Sequence, residues 1–330
     1  MELCRTSRLC KGSFTHISRQ VVLRLFDIVA VGNPVYDVVK TPFVESLGRV
    51  LSGCSVNAAL TAKKLGMKKV AVVGCIGGDY KEHFIYELKS KGIYPIVIRT
   101  SKETTGFKLK YLDFSGNREL EVLGVSDKIS MQDIPHELLD SNAIIVGPVI
   151  GEVSVDVPAT FKKRGVKVFL DPQGFLRKVK NGVVEHYSNP EAIEACSESH
   201  VIKPNELEAK LLSGLDEPLK AAIAIHEKTG AITALTLAEK GSIVVDGEKA
   251  IIVPAYPTYL VDPTGAGDVY LGSLAYYLCK GLSIEDAASY ASAVASIKVE
   301  NIAAHFNFNI SEVDRRASWI KSRVKIKRLC

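Results

Sequence analysis

From residue 26 onward the chain alternates short unbroken apolar runs with segments whose apolar residues recur every three or four positions. That is the pattern of buried strands separated by amphipathic helices. The runs fall at residues 26–32 (FDIVAVG), 69–74, 143–146, 166–170, 201–203 and 231–237. Residues 55–65, closed by Gly66, and residues 80–91 have helical spacing. Strands that read as continuous apolar runs are covered on both faces, so the expected fold is α/β: a doubly wound, mainly parallel sheet flanked by helices. Two stretches, 36–51 and 94–125, alternate instead with period two: Phe107, Leu109 and Tyr111 share one face, Leu120 and Val122 another. They predict a small separate β-sheet, a lid projecting from the main body. Helices are expected again over residues 265–300 and from 311 onward. No internal repeat is visible, and residues 26–330 read as one domain with its lid.

Composition narrows the class. With 330 residues, 47% hydrophobic and 24% charged, the chain can bury a full core and is neither a disordered tail nor a small disulfide scaffold. The net charge of +5 suggests an anionic partner until it is located. Residues 1–25 carry +4 and residues 315–330 carry +7, which leaves −6 for the body between them. No basic motif is interleaved with aromatics, so nucleic-acid binding is not expected. The basic, acid-poor residues 1–25 read as an N-terminal extension, either an upstream addition to the domain or an organellar presequence. Seven cysteines, an odd number with no C-x-x-C pair, signal neither a zinc cluster nor a disulfide framework and suit a reducing cytoplasm. No apolar run approaches the ~18 to 20 residues needed to cross a membrane, since Arg24 and Asp27 interrupt the nearest one.

The chemistry concentrates in Asp262-Pro263-Thr264-Gly265-Ala266-Gly267-Asp268, followed by a helical pattern. Glycines at a helix start let backbone N–H groups converge on one point, where the helix dipole favours negative charge. The amides of Gly265, Ala266 and Gly267 therefore make a candidate anion hole. Asp268 lies one residue further, placed to take the proton of a hydroxyl attacking a phosphoryl group held there. An arbitrary G-x-G-D is usually a capped turn, but seven specified residues arise by chance about once in a million chains of this length.

On this loop the chain resembles the PfkB family of carbohydrate and nucleoside kinases, of ribokinase-like fold, whose C-terminal signature is a DTGAGD-type loop. Other segments follow suit over residues 26–310. Ser52-Gly53-Cys54-Ser55-Val56-Asn57-Ala58-Ala59, then Gly66, Gly74, Gly77 and Asp79, is similar to the family's first signature. The resemblance implies that Asp37, Gly53 and Asn57 bind the hydroxyls of the acceptor; a carboxylate and an amide suit a polyol. Asn205-x-x-Glu208 is similar to the family's N-x-x-E element, whose side chains share one helix face and orient water around Mg²⁺ on the nucleotide phosphates. Thr236 to Gly241 resembles its nucleotide loop. The resemblance thus implies an ATP- and Mg²⁺-dependent phosphotransferase with Asp268 as base, Asn205, Thr236, Gly241 and Gly267 at the nucleotide, and Asn205 and Glu208 reaching the metal through water. It also implies a homodimer formed through the lid.

The chain departs from the family at Ser52 and Glu82, which stand where glycines are usual, at Ala238 in the nucleotide loop, and at Asn301-Ile302-Ala303-Ala304-His305, which lacks a customary glycine. Cys54 falls beside the expected polyol site. The expected acceptor is a small polyol, a sugar or an inositol; a nucleoside kinase and a non-catalytic sugar-binding regulator on the same fold are the alternatives. No G-x-x-x-x-G-K-[ST], H-E-x-x-H or G-x-S-x-G pattern offers a competing chemistry. His136 and His226 read as surface residues rather than ligands.

Overall fold

A computed structural model describes residues 24–40, 46, 48–111, 118–302 and 306–329. Most of the N-terminal extension, lid positions 41–45, 47 and 112–117, and residues 303–305 lie outside the described residues. In chain order the first elements are β1 (Phe26–Val31), β2 (Val35–Lys40), β3 (Val50–Ser52), α1 (Cys54–Lys64), β4 (Val70–Gly77), α2 (Lys81–Ser90) and β5 (Tyr94–Ser101). Then come β6 (Gly106–Tyr111), β7 (Arg118–Gly124), β8 (Ser141–Val146), α3 (Asp156–Lys163), β9 (Lys167–Leu170), β10 (Arg177–Lys180), β11 (Val183–His186) and α4 (Pro190–Ser197). The last are β12 (Val201–Ile202), α5 (Glu206–Ser213), α6 (Pro218–Thr229), β13 (Ile232–Thr236), β14 (Ser242–Asp246), β15 (Lys249–Val253), α7 (Ala266–Cys279), α8 (Ile284–Lys298), α9 (Ile310–Lys321) and β16 (Lys325–Arg328).

Ten strands form one sheet in the order β16-β15-β14-β13-β12-β9-β8-β1-β4-β5. From β13 to β5 all neighbours are parallel, while β14, β15 and β16 are added antiparallel. The apolar run of β1 divides by period two: Ile28 and Ala30 pack on one face with Leu60 of α1, Leu274 of α7 and Ala291 of α8. Val29 and Val31 pack on the other with Phe161 of α3, Leu212 of α5 and Ile225 of α6. Burial on both faces is what an unbroken apolar strand requires.

The chain leaves β1 first toward β4 and β5 and later returns to lay β8 and its successors on the other side. A crevice opens at such a switch point, beyond the carboxyl ends of the strands. Gly32 and Gly147 stand there, and a Cβ on Gly32 would come within 2.4 Å of the Gly147 oxygen. On the same face α7 crosses α1 closely enough that a Cβ on Gly272 would meet the Ala58 oxygen at 2.4 Å. That contact brings the start of α7 over the middle of α1.

The second sheet has six strands, β10-β11-β7-β6-β2-β3. The lid expected from sequence is amended at both ends. Residues 94–101 belong to the large sheet, where β5 pairs with β4 at the edge; its half-buried Val97 packs against the core on one face and Ile96 and Ile98 against the core on the other. The small sheet instead gains the hairpin of β10 and β11, turned by Asn181 and Gly182 with φ of 52° and 78°. Positive φ at both positions is the demand of a two-residue primed turn, and Asn-Gly is its sequence signal. The basic C-terminus, expected to be helical from residue 311 onward, ends in the exposed edge strand β16.

Candidate active site

Two elements meet at the switch point. α1 begins at Gly53, whose φ of 105° and close neighbours (Val35 side chain at 3.0 Å and Asn33 oxygen at 3.2 Å from a built Cβ) exclude a side chain. One turn on, Asn57 is buried, and its Nδ2 donates to Asp268 Oδ2 at 2.8 Å. The buried Oδ1 of Asn57 has no partner among the described residues. An orphaned buried acceptor of this kind is costly unless a ligand hydroxyl fills it.

α7 supplies the other half. Its N-cap is Gly265, with φ of 76° and no side-chain cap. A Cβ there would stand 2.8 Å from Asn57 Nδ2, so glycine is required by space as well as conformation. The Ala266 N–H donates to Pro263 O (3.1 Å), and the Val269 N–H is bonded to Gly265 O (2.9 Å). Gly267 and Asp268 lie in the first turn of α7, ahead of its i→i−4 ladder, so the helix itself supplies no acceptor for their N–H groups. Of the three amides expected to make an anion hole, that of Ala266 is thus used within the turn.

Sequence reasoning missed the charged group beneath this loop. Asp171 follows β9 and Lys203 follows β12, neighbouring parallel strands, and both side chains are enclosed. Lys203 Nζ lies 2.9 Å from Asp171 Oδ2, and also 2.9 Å from where a Cβ on Gly267 would stand. Cys54 Sγ donates weakly to Asp171 Oδ2 at 3.6 Å. The Cys54 sulfur and one oxygen each of Asp171 and Asp268 lie within 4.8 Å of one another. The available signal was a charged residue immediately after each buried strand, where ligands of such sheets bind.

Electrostatics follow from this packing. Burial, then the Asp171 carboxylate, raise Asp268 above the ordinary carboxylate value, opposed by Lys203 and by hydrogen bonds from Asn57 and Cys54. Burial pulls the Lys203 ammonium down, but Asp171, Glu208 and Asp268 together hold it above its usual value. Burial and the neighbouring carboxylates push the Cys54 thiol well up, so it is a neutral donor rather than a thiolate.

Asn205 and Glu208 cap α5 reciprocally: Glu208 Oε2 accepts the Asn205 N–H (2.9 Å), Glu208 Oε1 accepts from Asn205 Nδ2 (2.8 Å), and Asn205 Oδ1 accepts the Glu208 N–H (2.9 Å). Burial, then Asp171, push Glu208 up to about 7. Thr236 at the end of β13 lies against this cap, its N–H on Pro204 O at 2.9 Å. Gly241 is a structural necessity, since a Cβ would meet the Val253 oxygen at 2.1 Å. Ala238 adopts φ of 49° where the family has glycine, a conformation unfavourable for an L-residue. Asp37 lies on β2 in the small sheet; its buried Oδ1 accepts the Phe107 N–H at 2.8 Å, which ties β2 to β6. His136 is exposed, and His226 contacts the Ala231 carbonyl through Nδ1 (2.8 Å). No described helix is long and apolar enough to cross a membrane.

The chain has many relatives. A cytidine kinase of Thermococcus kodakarensis is 26% identical over 268 residues, covering 79% of this chain and 92% of that protein. Two solved structures share the fold. A myo-inositol kinase engineered from a pyrophosphate-dependent enzyme has a TM-score of 0.75 at 21% identity, covering 89% of this chain and 99% of the other. The ribokinase of Arabidopsis thaliana, solved with ribose and ATP, has a TM-score of 0.67 at 22% identity, covering 88% and 98%. The model of the pfkB family carbohydrate kinases matches residues 27–309. The chain therefore belongs to that family of kinases, which transfer a phosphoryl group to an alcohol.

Proposed function

We propose that this kinase phosphorylates a hydroxyl of a small polyol, a sugar or an inositol, from Mg-ATP, with Asp268 as general base. The observation that carries the reading is the Asn57–Asp268 pair. Its carboxylate is bonded on one oxygen by Asn57 Nδ2 (2.8 Å). Beside it the buried Asn57 Oδ1 awaits a donor. A polyol offers adjacent hydroxyls, one to give its proton to Asp268 and one to satisfy Asn57. Asp37 and the Gly53 backbone are the further acceptor contacts of this reading.

As the acceptor oxygen attacks, its proton passes to Asp268, the O–P bond to the acceptor forms, and the bond to the donor's bridging oxygen breaks. The Gly267 and Asp268 N–H groups face the transferring phosphoryl, with the Gly265 backbone alongside and the Lys203 charge beneath. Asp171 keeps Lys203 in place.

The metal fits what is present. The buried Asp171 and Glu208 and the half-buried Asp268 surround one ammonium, and oxygen donors of this kind suit a hard divalent cation. Asn205 and Glu208 would hold Mg²⁺ through its waters, where it neutralises phosphate charge. Asn205, Thr236 and Gly241 then frame the nucleotide side. Dimerisation through the small sheet belongs to the same reading.

A nucleoside acceptor is the second reading, favoured by the likeness to a cytidine kinase over 92% of that protein. The test is incubation with Mg-ATP, and separately Mg-pyrophosphate, against myo-inositol, ribose and cytidine, with identification of the phosphorylated product. A phosphorylated polyol formed from ATP supports the proposal. Phosphocytidine replaces it with the second reading, and no product from any combination overturns both.

A further inference from the structure

We infer that Lys298 is a positioning residue for phosphoryl transfer: its buried ammonium holds the turn that aims the Gly267 and Asp268 amides. The inference rests on reading that loop as the site of the transferring phosphoryl. Lys298 is the last residue of α8 and is 1% exposed, among the largest wholly buried side chains of the molecule. Its Nζ donates to Asp262 O (2.8 Å) and Asn301 O (3.2 Å) and lies 3.5 Å from Asp262 Oδ2.

Asp262 is the residue from which the turn hangs. Its Oδ1 accepts the Thr264 N–H (2.8 Å), and its own N–H and that of Val261 donate to Val299 O at 3.1 and 2.8 Å. Pro263 has no N–H to give, and the Thr264 and Ala266 N–H groups tie the turn between Asp262 and the helix. One ammonium thus fixes both the carbonyl and the carboxylate of the anchoring residue. It does so at the carboxyl end of α8, where the helix dipole favours a cation. Nothing in stability alone requires a lysine here: a buried ion pair is often replaceable by apolar residues without loss. A positioning role explains why the charge is aimed at two main-chain carbonyls of segments bordering the catalytic loop.

The test begins with Lys298→Ala, assayed with Mg-ATP and, in separate arms, myo-inositol, ribose and cytidine. Displacing the loop should lower kcat about 10- to 100-fold while leaving the acceptor KM within about threefold, because the acceptor contacts of Asp37, Gly53 and Asn57 lie on other elements. Added ammonium or methylammonium chloride should restore much of the loss, and tetramethylammonium chloride, too large for the vacated space, should not. A folded variant with wild-type kcat, with its loss in KM, or with no response to ammonium overturns the inference.

Should this variant not fold because the buried Asp262 carboxylate loses the Lys298 charge, Asp262→Asn combined with Lys298→Met removes both charges. Wild-type kcat in that protein likewise overturns it. Independently of turnover, tripolyphosphate should raise the unfolding midpoint of the wild type more than that of Lys298→Ala, with ammonium closing the gap; equal shifts contradict the inference. Full activity in a parallel Asp268→Asn variant would remove the catalytic reading but leave the tripolyphosphate result standing.

Discussion

Asn57 and Asp268 are 211 positions apart yet share a hydrogen bond at the centre of the candidate site. Both were legible in the sequence, because each sits in a glycine pattern whose spacing has a physical purpose. Asp171 and Lys203 were not: each is a single charged residue after an apolar strand, and only the adjacency of β9 and β12 makes them partners. Strand order is set by tertiary packing, which local sequence does not display. Their presence has consequences for pH. Glu208 ordinarily titrates near 4.5 and is pushed up to about 7 in the fold, so the folded state binds this proton more tightly than the unfolded. The stabilisation is full below the unfolded value and is lost as pH rises toward the folded one. The urea midpoint without added metal should therefore fall between pH 5 and pH 7, and Glu208→Gln should fall less over the same interval. Asp268, raised in the same direction, must be ionised to act, so the acid limb of kcat should lie above the ordinary carboxylate range of about 4.

At the scale of elements, the catalytic geometry depends on how α7 lies on α1. Gly272 permits that approach, since a Cβ would overlap the Ala58 oxygen. Gly272→Ala should cost about 1–3 kcal/mol in denaturant unfolding and lower kcat as well, because the crossing that shifts is the one joining Asp268 to Asn57. The main strands and helices were readable because continuous apolar runs and helical spacing are strong local patterns. The lid is less legible: Ile96, Val97 and Ile98 make only a short apolar run ahead of Arg99 and Thr100, and nothing local tells an edge strand of the large sheet, half-buried on both faces, from a strand of the small one. The β10–β11 hairpin carried its Asn181-Gly182 signal, but its strands are short, charged and mostly exposed, and periodicity alone passes over them.

For the whole molecule, net charge proved a poor guide to the site. The basic C-terminal residues Lys325 to Arg328 form the last strand of the ten-stranded sheet, with every residue exposed. Charged edge strands discourage pairing with other chains, so this part of the surplus has a structural use that needs no anionic partner. Removing residues 324–330 should uncover the hydrogen-bonding edge of β15 from Lys249 to Ile252. Light scattering should then show larger aggregates than the full chain forms at the same concentration. The site itself lies at the switch point of the sheet, where a helix start, two strand ends and a capped helix converge. The central claim is that this convergence is a kinase centre with Asp268 as its base, and the most direct measurement compares kcat of the wild type and Asp268→Asn with Mg-ATP and the acceptor found to be phosphorylated. The account predicts a loss of about 100- to 10,000-fold with acceptor affinity within a few-fold of the wild type. Equal turnover by the two proteins would contradict it.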